Sequence, residues 1–161
     1  MTPRGVEASV GPAYLSKLAD ALLAAKLEVR WFCNARTEPG FTRELLDRVH
    51  RAGNTMIMWG LEAGSPRLLK LMKKGVQAEN RLEILADSAA AGIFNFGYVF
   101  LGFPSETREE AQATIELICD HTDVIHGYGR SVFTLGRHSP LASDPKRFGV
   151  LEVVEDAQQL S

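Results

Sequence analysis

The chain has 161 residues, a length that suits one compact domain burying roughly 70% of the surface its unfolded form exposes. Hydrophobic residues make up 45%, charged residues 24%, and the net charge is -2, so no basic surface points to nucleic acid as a partner. No apolar run nears the roughly 18 residues of a membrane span, and residues 1–11 lack the charged and apolar regions of a signal peptide, so a cytoplasmic location is expected.

Residues 1–11 carry Pro, Gly and small residues without periodicity and are expected to be a flexible leader. From Pro12, Leu15, Leu18, Ala19 and Leu22 share one helical face, as in a surface helix on a core. Glu28 to Arg36 then alternates as a strand does, with Val29, Trp31, Cys33 and Ala35 on one side and Arg30, Phe32, Asn34 and Arg36 on the other. Arg36 falls at the C-terminal mouth of that strand. There it is either a solvated arginine or a partner for a ligand carboxylate or phosphate. Cys33 and Cys119, the only two cysteines, lie far apart in apolar segments and read as buried free thiols.

Thr42 is a good N-cap, Phe41 and Leu46 are spaced for a hydrophobic staple, and Leu45, Leu46, Val49 and Ala52 form the stripe of a helix that stops at Gly53. Thr55 to Trp59 is too apolar for a half-exposed sheet and predicts a parallel strand covered on both faces. Trp59-Gly60-Leu61-Glu62-Ala63-Gly64-Ser65-Pro66 follows as the strand exit and the loop after it. Loops at the C-terminal ends of parallel strands are where ligands bind in such folds, which makes Glu62, set between two glycines, a candidate site residue. The alternatives for Glu62 are a cap for the next helix or a pair with Lys70. Ser65 as cap, Pro66 at the first position and Gly75 as terminator frame that helix, with Leu68, Leu69 and Met72 facing in and Lys70, Lys73 and Lys74 solvated.

Arg81 to Ala91 predicts another helix, facing inward through Leu82, Leu85, Ala86 and Ala89 and ending at Gly92. A strand from Ile93 to Leu101 leads into Gly102-Phe103-Pro104-Ser105-Glu106-Thr107. Thr107 and Glu110 have the spacing of a capping box, opening a helix that faces inward through Ala111, Ile115 and Ile118. Its N-terminus either attracts an anion at the strand mouth or is already satisfied by Glu106 and Glu109. The last apolar segment, Val124 to Leu135, is broken by Gly127 and Gly129, which signal a bulge or a close approach of backbone to something bound. His50, His121, His126 and His138 have no metal-ligand spacing and read as surface or packing residues.

Strands beginning near Val29, Thr55, Asn95 and Ile125, each separated by helices, predict an α/β fold with parallel crossovers. Four strands cannot close a barrel. The edge at Val29 to Arg36 would be left unpaired, so an upstream segment or a partner chain is expected to cover it.

Trp31 with Arg36, Gly60-Leu61-Glu62-Ala63-Gly64-Ser65 followed by Met72-Lys73-Lys74-Gly75, and Gly102-Phe103-Pro104-Ser105-Glu106-Thr107 together resemble the radical S-adenosylmethionine superfamily. They are most similar to its members associated with a cobalamin-binding domain. The resemblance covers about Val29 to His121, and Ser139-Pro140-Leu141 through Phe148-Gly149 is similar to the end of that group's core. It implies a partial (β/α) barrel, an incomplete TIM-like barrel with about four parallel strands of a (β/α)6 core: residues 1–11 leader, 12–150 the C-terminal part of the core, 151–161 tail.

The resemblance further implies that S-adenosylmethionine binds next to a [4Fe-4S] cluster and is cleaved reductively to a 5'-deoxyadenosyl radical, while the protein positions the cofactor. On that basis Arg36 and Glu62 would contact the ribose or amino acid part. Gly102, Phe103 and Pro104 would wall the adenine, with Glu106 fixing the loop. Use of cobalamin by the full protein, whose binding domain would lie outside this chain, is left open, as is the substrate, small molecule or peptide. The chain departs from the family in lacking the Cys-x-x-x-Cys-x-x-Cys loop that holds the cluster, and in lacking the first two strands. Membership without independent catalysis is therefore the expectation; the alternative is a non-catalytic truncated module that binds a partner protein or a nucleotide-like ligand.

Overall fold

The computed structural model describes residues 9–72, 80–135 and 140–150. In chain order these form α1 (Pro12–Ala24), β1 (Trp31–Arg36), α2 (Arg43–Arg51), β2 (Asn54–Glu62), α3 (Pro66–Met72), α4 (Arg81–Ala90), β3 (Phe94–Leu101), α5 (Arg108–Cys119), β4 (Gly127–Val132), α6 (Pro140–Ser143) and a short 3-10 turn at Pro145–Phe148. The expected Gly75 terminator, Lys73, Lys74, His138, Ser139 and the tail 151–161 lie outside the described residues.

The four strands form one parallel sheet whose spatial order, β1-β2-β3-β4, is the order of the chain. Crossovers of one hand between successive parallel strands put their helices on one face. Accordingly Ile57, Trp59, Leu61 and Val99 pack with Leu46, Leu85 and Ile118 in the main core. The opposite face is open among the described residues, with Phe32, Phe94 and Tyr98 exposed on it. That corrects the expectation of a sheet covered on both faces. The apolar character of β2 comes from lining the concave side of an incomplete barrel, which the α/β fold of parallel strands and helices matches.

Local signals account for most element ends. The Thr42 side chain accepts from the Leu45 N–H, and α2 gives way to Gly53 at a φ of 93°. Thr107 and Glu110 form the full capping box of α5. The inward faces of two helices differ from the spacing argument. In α5 the buried residues are Thr114, Leu117 and Ile118, while Ile115 is exposed. In α4 they are Arg81, Ile84, Leu85 and Ser88, and Ala86 is exposed. The apolar part of each face, Ile84 with Leu85 and Leu117 with Ile118, lies in the core, and at its end Thr114 bonds the Gly64 N–H and Arg81 reaches the β2 exit.

β1 begins at Trp31, not Glu28, because residues 27–30 run exposed past Gly53, where a Cβ would stand 1.8 Å from the Val29 oxygen. β2 runs on through Glu62, so the candidate carboxylate belongs to the strand and not to the loop after it. Ahead of α1, the Val10 N–H bonds the Asn34 carbonyl at the outer edge of β1, at 2.8 Å. Buried Asn95 ties the layers together, accepting from Trp59 Nε1 at 2.9 Å and donating to the carbonyls of Leu85 and Val124, both at 2.8 Å.

Candidate functional site

The C-terminal ends of β1, β2 and β3 form one mouth. Arg36 on β1, Gly60 on β2 and Tyr98 on β3 are register partners in a single row across the sheet. At Gly60 the register with β3 shifts, and Glu62 pairs with Val99. Glu62 has a φ of 63°, a left-handed conformation that a residue with a side chain adopts only where its surroundings enforce it. Its carboxylate folds back over the strand: a Cβ on Gly60 would stand 2.9 Å from Glu62 Oε1. Glycine at position 60 thus leaves the space that the carboxylate fills, beside the strand position of Arg36. Glu62 is buried, Arg36 exposed. Capping of α3 falls to Ser65, whose hydroxyl accepts from the Leu68 N–H at 3.3 Å.

The loop after β3 closes on itself. The Gly102 N–H bonds a Glu106 carboxylate oxygen and the Glu106 N–H bonds the Phe103 carbonyl. Gly102 and Ser105 sit at φ of 78° and 69°. The second carboxylate oxygen of Glu106 is buried without a hydrogen-bond partner among the described residues. The Phe103 ring is buried with Leu68, Leu69 and Leu141 and meets Phe133 and Phe148 edge-on, so what the loop shows the mouth around Pro104 is mainly backbone. Residues 140–150 thereby seat on the mouth side of the sheet.

A polar chain joins the two loops. Arg67 bonds both carboxylate oxygens of Glu110 and the Ser105 carbonyl, and the Ser65 hydroxyl donates to Glu110 at 2.6 Å. Arg67, followed by Ser65, holds the Glu110 carboxyl down at about 2. Thr114 accepts from the Gly64 N–H at 2.8 Å. Tyr98, Arg67 and Arg81 stand at this mouth or its supporting loops and were not singled out in the sequence. Counting back in twos along β3 from the Gly102 turn would have put Tyr98 on the mouth face; nothing local marked the arginines.

The thiols do not gather here. Cys119 is exposed at the end of α5, contrary to the expected burial, and Cys33 is half-buried in β1. Burial pushes the Cys33 thiol up to about 11, against a lowering by the Asn54 amide. Among the described residues no group of three or more His, Cys, Asp or Glu could hold a metal ion, and no helix is long and apolar enough to cross a membrane. The described histidines serve packing. His126 Nδ1 accepts from the Asn95 N–H, His121 bonds the Leu117 carbonyl and His50 the Asn54 carbonyl.

The model of the radical SAM superfamily matches residues 5–118. An uncharacterized methyltransferase of Pyrococcus horikoshii is 29% identical over 90 residues, which are 56% of this chain and 19% of that protein. Among solved structures, the radical S-adenosylmethionine methyltransferase TsrM of Kitasatospora setae, with cobalamin and a [4Fe-4S] cluster bound, superposes with a TM-score of 0.66. The identity is 21%, over 81% of this chain and 26% of that one. Coproporphyrinogen III oxidase of Escherichia coli, a radical SAM enzyme, gives 0.65 at 15% identity over 93% and 34%. The chain spans from about a fifth to a third of the length of these proteins.

Proposed function

Because the chain belongs to the radical SAM superfamily, we propose that it supplies the later strands of a radical SAM core and holds S-adenosylmethionine at the mouth of β1, β2 and β3. The observation that carries this reading is the Glu62 carboxylate lying over Gly60 in the row that begins with Arg36. A carboxylate over Gly60 and an arginine at the neighbouring strand position suit the zwitterionic amino acid end of the cofactor or the hydroxyls of its ribose. The backbone of Gly102, Phe103 and Pro104 borders the adenine, and the unpartnered oxygen of Glu106 leaves an acceptor in that loop.

The residues present fit S-adenosylmethionine and do not fit the cluster. Two separate thiols, one pushed up by burial, cannot replace three neighbouring thiolates. No step of radical formation is therefore assigned to this chain. The chemistry that the cofactor supplies in such a core is reductive cleavage to a 5'-deoxyadenosyl radical. The cluster loop belongs to a preceding segment or a partner chain that extends the sheet at β1. A cleft of about 640 Å³ lies along that edge between Val10, Tyr14, Phe32 and Asn34. Cobalamin enters as a cofactor of the full protein, supported by its presence in the Kitasatospora setae methyltransferase.

Calorimetry with S-adenosylmethionine tests the site: Glu62→Ala is expected to weaken binding at least tenfold, and unchanged affinity removes Glu62 from it. Anaerobic reconstitution with iron and sulfide tests the assignment of the cluster. Cluster absorbance with cofactor cleavage by this chain alone would show that its own residues suffice.

A further inference from the structure

Arg81 is the first residue of α4 and only 5% exposed. Both facts run against its chemistry. A cation in the first turn of a helix opposes the helix dipole, and a buried guanidinium needs acceptors for its donors. The Asn80 side chain makes no cap bond there either. The acceptors come from the β2 exit: Arg81 Nη1 donates to the Ala63 carbonyl at 2.7 Å and reaches the Leu61 carbonyl at 3.5 Å, while Nη2 donates to the Gly64 carbonyl at 3.3 Å. These three residues flank Glu62, the one residue of that stretch with a positive φ.

We propose that Arg81 is a positioning residue: its guanidinium gathers the carbonyls on both sides of Glu62, fixes the left-handed turn there, and so aims the Glu62 carboxylate over Gly60. A planar fork spanning several carbonyls does this where a lysine ammonium, a point donor, does not. On the opposite side the loop is held by Thr114, through the Gly64 N–H, and a Cβ on Gly64 would stand 2.3 Å from the Ala113 oxygen. Arg81 is thus the α4 half of a grip on the loop, with α5 the other half. The proposal deepens the reading of Glu62 as a cofactor contact and rests on it for its functional consequence.

The test uses Arg81→Lys, which keeps the charge, with Arg81→Met as a second variant. Hydrogen exchange followed by mass spectrometry is expected to show the segment 61–64 exchanging at least tenfold faster in Arg81→Lys, with Ile57–Trp59 and α2 unchanged. Unchanged exchange in 61–64, or equal acceleration throughout the sheet, overturns the positioning role. In the protein assembled with its cluster, S-adenosylmethionine affinity is expected to fall about tenfold in Arg81→Lys. It should fall no further when Glu62→Gln is added, because one residue acts through the other; additive losses overturn the link to Glu62. Failure of the unsubstituted protein to bind S-adenosylmethionine overturns the cofactor reading, and the exchange result still decides whether Arg81 anchors the loop.

Discussion

Glu110 performs two tasks with one carboxylate. It completes the capping box of α5 and it receives Arg67 and Ser65 from the start of α3. With its carboxyl at about 2 in the fold against an ordinary 4.5, its contribution to stability is fully present above about pH 4.5 and is lost as pH falls toward 2. Urea unfolding across that range is expected to show a flatter loss of stability for Glu110→Gln than for the unsubstituted chain. Equal slopes would mean that the pair is too well screened to matter. The capping box was legible from Thr107 and Glu110 alone, because both partners lie within one turn. Arg67 and Arg81 were not legible. Their partners lie in elements far along the chain, and an arginine in a helical segment reads by default as solvated.

At the level of elements, Asn95 shows how a polar residue inside an apolar strand can specify packing. Its amide meets Trp59 in β2, the carbonyl of Leu85 in α4 and the carbonyl of Val124 ahead of β4. Asn95→Leu keeps the branch point but enlarges a fully buried side chain and leaves an indole N–H and two carbonyls without these partners, at an expected cost of about 3 kcal/mol. Denaturant titration checks this, and a loss under about 1 kcal/mol would mean that water or repacking replaces the bonds. Element existence and order followed from hydrophobic period and from the Gly53 and Gly92 stops. Which face of α4 and α5 turns inward followed only in part. Counting apolar spacing rightly selected Leu85 and Ile118 but added Ala86 and Ile115, which are exposed, and passed over Arg81 and Thr114. Polar members of a buried face leave little trace in hydropathy, because their partners lie at the β2 exit.

For the whole molecule, the open face bearing Phe32, Phe94 and Tyr98 and the outer edge of β1 are the surfaces that a completed barrel would cover. An edge bearing apolar side chains favours pairing with another chain. Light scattering on the chain alone is expected to show association that rises with concentration and is reduced by Phe32→Lys; a strictly monomeric species at all concentrations would argue that the edge is satisfied from within. The open edge was legible from counting four strands. The open face was not, because a barrel lumen and a covered sheet write the same apolar residues into β2. The agreement of spatial and sequential strand order has a further consequence. In a doubly wound sheet the chain reverses direction partway across, so a cut can leave one piece on both sides of the other. Here a cut at any crossover yields two contiguous blocks that meet along a single edge. Such a core can be divided between separate polypeptides and rejoined by one line of backbone hydrogen bonds, without threading either piece through the other.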